Sequence, residues 1–280
     1  ALEKMARSRS SFVGGRAVVV LIAALAASGQ AATLTLDPTY VGATNVQGNG
    51  TQTGAGLGSW QPNVLNTKAE IYLTPQLLFG SSSLALSDIQ SLSFETNKPG
   101  AQGAPDWYLT IYTNPTASGN DASWYKHRLT FEPVYANNPN APANQWNTWS
   151  TDAGTNQLTV FDSNRTVPGF YNGPTLADVQ AGSINWGSYP TSGSTATVDY
   201  SADTVKYFTL ADSTGGLWTD FNGLLADLKV TLKDGTTMTV NFAPASPGPL
   251  ESVPEPSAFV LFGLGAVLGL GGAWRRRRAG

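Results

Sequence analysis

Residues 258–274 run for seventeen positions without a charge, and Arg275, Arg276, Arg277 and Arg278 follow directly. As a helix this stretch would be about 26 Å long at about 1.5 Å per residue, barely a bilayer core. Gly263, Gly265, Gly269, Gly271 and Gly272 weaken that helix in water, and Gly265 with Gly269 forms a GxxxG that can pack a partner helix. Just ahead stands Val253-Pro254-Glu255-Pro256. Its two prolines hold the backbone extended and keep it out of the following helix. At the other end, Arg7, Arg9 and Arg16 precede an apolar run of eleven residues, 17–27, and then Gly29-Gln30-Ala31. That run suits the apolar region of a secretion signal and is too short for a stable span, and the small residues place a cut at Ala31–Ala32. Arginine blocks stay on the cytoplasmic side, so both ends start inside and residues 32–256 are expected outside. The layout divides the chain into a signal peptide (1–31), an extracellular domain (32–250) and a carboxy-terminal tail with a transmembrane helix (251–280).

A proline motif, a short apolar span and a basic stop, in that order, resemble the PEP-CTERM sorting signal. The resemblance covers about 28 residues. It implies recognition of Val253, Pro254, Glu255 and Pro256 by exosortase, with Arg275, Arg276, Arg277 and Arg278 as the cytoplasmic stop. It further implies transient anchoring in the inner membrane, cleavage near the motif, and a bacterium that makes exopolysaccharide.

Charge sharpens the picture of the middle. The net charge of −3 combines 16 basic and 19 acidic residues. With Glu3 and the four basic residues of the first sixteen positions, and the four terminal arginines, set aside, eight basic residues face eighteen acids. A body this acidic repels nucleic acid and anionic lipid. The chain has no Cys and one His, His127. Disulfides, thiolate metal sites, multi-histidine zinc sites and Cys–His catalysis are therefore excluded.

Thirty Gly and seventeen Pro, with abundant Thr, Ser and Asn, favour short strands joined by turns. Alternation predicts strands over 69–73, 89–96, 107–113, 128–135, 157–162, 196–200 and 205–210. In the second of these Ile89 is out of phase with Leu92 and Phe94. A hairpin is expected over 224–232 and 236–242, turning at Lys233-Asp234-Gly235. Short helical turns are expected near 74–78 and 175–180. The fold class expected is all-β: an antiparallel β-sandwich or jelly roll, flanked by helical terminal segments. Pro244, Pro247 and Pro249 make a stiff linker that ends the domain near Ala243. The body is also similar to an uncharacterised sandwich of other PEP-CTERM proteins, through residues 107–113, 123–125 and the closing 221–242; that likeness implies no activity.

The aromatic residues carry the best binding hint. Trp107, Tyr108, Trp124, Tyr125, Trp146 and Trp149 lie within 43 residues. Flat rings stack on sugars while Asn, Asp and Gln read hydroxyls, so these six are candidate glycan-binding residues. Trp146 and Trp149 are expected in an Asn/Pro-rich loop, and Trp107 is as readily a core residue. Glu95, Asp106, Asp121 and Glu132 are the acids from which a glycosidase pair could be drawn. Asn114, Asn120 and Asp121 are candidate calcium ligands in one Gly/Asn loop. His127 is expected at a strand entry, on the surface or in a loop. The reading favoured by the residues is a non-catalytic exported surface or matrix protein with glycan binding; the alternative is a polysaccharide hydrolase or lyase. Two short Thr-x-Thr stretches, 33–35 and 237–239, raise an ice-binding face as a weaker third reading.

Overall fold

The structure, a computed structural model, describes residues 29–49, 58–101, 103–115, 125–166, 172–189, 192–214 and 216–244. The chain divides into two compact units, 1–245 and 246–280, and every described residue lies in the first. Residues 1–28 and 245–280, on which the expected signal peptide and sorting tail fall, and Trp124, Asn120 and Asp121 lie outside the described residues.

The described body is all-β. Its larger sheet has β14 (Leu224–Leu232) at the centre, between β15 (Thr237–Phe242) and β6 (Ile89–Asn97). β1 (Ala31–Leu36) flanks β15, and β9 (Trp146–Ser150) flanks β6. β4 (Ser59–Pro62) meets β14 at Leu225↔Trp60 and carries β3 (Val46–Asn49). The second sheet runs β10 (Phe161–Asp162), β8 (His127–Phe131), β7 (Tyr108–Asn114), β13 (Thr204–Ala211), β5 (Glu70–Leu73), β2 (Ala43–Thr44). β11 (Ser183–Asn185) and β12 (Thr197–Asp199) form a small separate pair. The two large sheets share one core: Leu92, Phe94, Leu228, Val230 and Val240 from the first, Ile71, Leu109, Ile111, Phe131 and Leu210 from the second.

Two breaks of alternation become bulges. On β14, Ala226 faces Glu95 and Lys229 faces Ser93, so β14 spends one residue more than β6. Asp227 sits there at φ +49, and the bulge switches the inward set from Leu225 to Leu228 and Val230. On β6, Ser91 faces Thr231 and Ile89 faces Leu232, which turns the out-of-phase Ile89 inward. The hairpin turn holds Gly235 at φ +88, and Asp234 accepts a hydrogen bond from the Thr236 N–H. α1 (Pro75–Phe79) is capped by Thr74 and ends on Gly80 at φ +69; α2 (Leu176–Gln180) opens on a Thr175/Asp178 capping box.

Three expectations need correcting. The sandwich is not wholly antiparallel: β1 pairs with β15 in parallel, from Ala31↔Thr237 to Leu36↔Phe242. Residues 146–150 form β9 rather than a loop, paired to β6 from Asn97↔Trp146 to Ser93↔Ser150. The segment 128–135 stops as a strand at Phe131, where Pro133, which cannot donate to a ladder, opens a 3₁₀ turn over Pro133–Tyr135.

Burying an indole costs its N–H a water partner, and the four fully buried tryptophans each replace it. Trp107 donates to Gly223 O, Trp149 to Thr96 Oγ1, Trp186 to the Tyr200 hydroxyl and Trp60 to Ala243 O, at 2.7–2.9 Å. Ala243 N also donates to Leu36 O, so the fold closes at residue 243.

Candidate functional site

Position along β7 explains the fate of most aromatic candidates. Every β7 residue is buried, because one face looks into the core while the other is roofed by side chains. Trp218 lies edge-on over Tyr108, at 5.9 Å between ring centroids, and Tyr125 lies edge-on to Tyr112 at 4.9 Å. Trp107 and Trp149 are fully inaccessible. No sugar can stack on either, which corrects the expectation of one six-residue platform. Of that set, Tyr125 and Trp146 remain partly accessible, and Trp124 lies outside the described residues.

A cleft of about 80 Å³ opens where the 103–106 segment meets the 133–135 turn. Asp106, Glu132, Tyr135 and Trp218 line it. Two of the acids singled out in the sequence thus meet in one place. Their environments differ. Asp106 is buried, accepting from Trp107 N at 2.9 Å and Thr96 Oγ1 at 2.8 Å, with Lys98 Nζ at 3.6 Å. Burial outweighs those partners and raises its pKa to about 6. The Glu132 carboxyl has no hydrogen-bond or ion-pair partner among the described residues, and burial alone raises it to about 7. Asp106 is therefore a structural anchor, whereas Glu132 is open to a ligand. Glu95 stands elsewhere, on β6, accepting from Thr148 Oγ1 at 3.4 Å; burial and then Asp227 push its pKa up.

His127 is buried, not on the surface. As the first residue of β8 it faces Thr113 of β7, and its Nδ1 lies 2.6 Å from Asp203 Oδ2. That oxygen also accepts the Thr113 hydroxyl. The Tyr200 ring packs edge-on to the imidazole at 4.7 Å, and its hydroxyl donates to Asp162 Oδ2 at 3.0 Å. Burial pushes Asp162 up despite hydrogen bonds from Arg128 N and Asn164 N. Among the described residues, no Ser, Thr or Tyr oxygen lies within hydrogen-bonding reach of the other imidazole nitrogen, so the group reads as a buried polar brace between β7, β8 and the 200–204 turn. Trp218, Asp162, Tyr200 and Asp203 carry no local sequence signal; only the fold brings them to these places.

The calcium candidates are not assembled among the described residues. Asn114 is buried at the end of β7, where its carbonyl accepts the Thr204 hydroxyl at 2.9 Å. Among the described residues no group of three or more His, Asp or Glu is placed to hold a metal. Nor is any described helix long and apolar enough to cross a membrane.

With the body closing at residue 243, the segment that follows decides the destination. The chain carries a PEP-CTERM protein-sorting motif at residues 252–278. That span contains Val253, Pro254, Glu255 and Pro256 and the four arginines 275–278. It marks the protein for exosortase processing and export to the cell surface. Comparison with curated proteins and with solved structures gives no match for the chain.

Proposed function

We propose that the chain is a precursor that loses both ends and leaves a non-catalytic body at the cell surface or in the extracellular matrix, where it binds polysaccharide. In this reading the segment up to Ala31 is cleaved as a signal peptide. The tail anchors transiently in the inner membrane until exosortase cuts near Pro254-Glu255-Pro256. The observation that carries the reading is that the sorting motif begins after a fold already closed at Ala243. A cut at the motif removes no described strand. A cut at Ala31 removes one residue of β1 and the Gln30 carbonyl that accepts Thr237 N. Mass spectrometry of the cell-surface form tests it: a species beginning at Ala32 and lacking the four arginines is expected. A stable membrane-bound product that keeps them would overturn the sorting scheme.

For the body, Trp146 is the accessible aromatic on β9, beside the exposed Thr148. A Trp146→Ala variant should lose affinity for matrix polysaccharide by about tenfold, the scale of one stacking contact. A second reading, an exported polysaccharide hydrolase or lyase, is favoured by Asp106 and Glu132 lining one cleft with raised pKa values. Reducing-end release from matrix polysaccharide, lost in Glu132→Gln, would establish it; no release by the wild type would remove it.

A further inference from the structure

We propose that the cleft between the 103–106 segment and the 133–135 turn binds a primary ammonium group, presented by an amino sugar. This rests on the glycan-binding reading of the body and names the chemistry of one site in it.

Size sets the first limit. The cleft measures about 80 Å³, well short of the roughly 300 Å³ at which pockets begin to enclose small molecules. It takes a head group and leaves a sugar ring outside. Charge sets the second. Lys98 is buried against Asp106 and donates to Ala104 O at 2.7 Å, so that pair is neutral and spent inside the protein. Glu132 is left as the cleft's uncompensated carboxyl, with no partner among the described residues. A hydroxyl ligand would still leave that carboxyl facing burial without a countercharge, whereas an ammonium supplies one.

The walls agree with this. Trp218 is only partly buried, and its indole N–H has no partner among the described residues. Its ring is held edge-on to Tyr108 at 5.9 Å and to Phe221 at 5.1 Å, so it is in place before a ligand arrives. A cation over an indole face is the favourable case of cation–π attraction. Tyr135 adds a second aromatic ring to the lining. Because Glu132 and Trp218 line the same small cleft, a sugar whose ammonium pairs with Glu132 is expected to meet Trp218.

The test titrates the full chain in detergent micelles with glucosamine, N-acetylglucosamine, glucose and methylammonium near neutral pH, followed by calorimetry. Glucosamine should bind at least about tenfold tighter than either neutral sugar, a difference near 1.4 kcal/mol. Glu132→Gln should abolish that preference while melting cooperatively, and Trp218→Ala should weaken glucosamine at least as much. Equal binding of the three sugars, or glucosamine binding unchanged in Glu132→Gln, would overturn the site. Methylammonium binding as tightly as glucosamine would remove the sugar from the assignment. Matrix polysaccharide bound equally by wild type and Glu132→Gln would sink this site and leave the glycan-binding reading standing. No saccharide bound by the wild type would sink both.

Discussion

A carboxyl whose pKa is higher in the folded chain than in the unfolded one holds its proton more tightly when folded. Stability is then highest at low pH and falls as pH rises from the ordinary carboxyl range. Glu132, raised to about 7 by burial, brings that loss into the window between its ordinary value and neutrality. Asp106, raised to about 6, adds to it. Glu132→Gln cannot ionise. It should match the wild type in acid and be more stable in mild alkali by on the order of 2 kcal/mol, after allowance for partial exposure. Melting temperatures across pH check this; equal curves at every pH would mean that the carboxyl reaches water freely. The partner of His127, Asp203, is fully buried. Removing the imidazole in His127→Ala leaves the buried Asp203 carboxyl with Thr113 as its one side-chain partner among the described residues, at a cost of about 3–5 kcal/mol. Chemical denaturation should place the variant's midpoint far below the wild type's. Trp107 shows why the fate of the candidate aromatics was hard to read at this scale: alternation places it correctly on a face, yet nothing local says that Gly223, distant in sequence, takes up its N–H.

Strands were legible in proportion to how cleanly inward positions were apolar. β7 alternates without interruption, and the β14–β15 hairpin alternates on both sides of its Asp-Gly turn beyond the Asp227 bulge; both were found. β9 hides because Asn147 is one of its inward residues, satisfied by the carbonyls of Pro142 and Gln145, so the alternation reads as Asn/Pro-rich loop. β1 hides because it begins at the expected cleavage point and draws its one ladder partner, β15, from the far end of the chain. The Ile89 phase break carried real information: it marks a bulge against β14. At this scale the sharpest prediction concerns Gly235. Its φ of +88 suits a residue without a Cβ, and a Cβ there would stand 3.3 Å from the Gly29 Cα. Gly235→Ala should lower stability by about 1–2 kcal/mol in urea titrations, whereas the exposed neighbour Lys233→Ala should change it by less than about 0.5 kcal/mol.

For the whole molecule, the fold class and the sorting tail could be read from patterns contiguous in sequence. The cleft could not, because Glu132, Asp106 and Trp218 come from three stretches that only the folded sheets bring together. The same long-range closure governs truncation. A chain ended after residue 245 keeps every described strand and should melt within a few degrees of the full protein. One ended after Gly235 loses β15 and with it the ladder partner of β1, and should not fold; circular dichroism distinguishes the two. Because β1 and β15 lie side by side and point the same way, Ala31 and Phe242 sit at opposite ends of that pair, about 17 Å apart at about 3.3 Å per residue. A pull applied to the tail therefore runs lengthwise down β15. The rungs it shares with β1 on one flank and β14 on the other are loaded together, in shear, and must fail as a group before the strand slips.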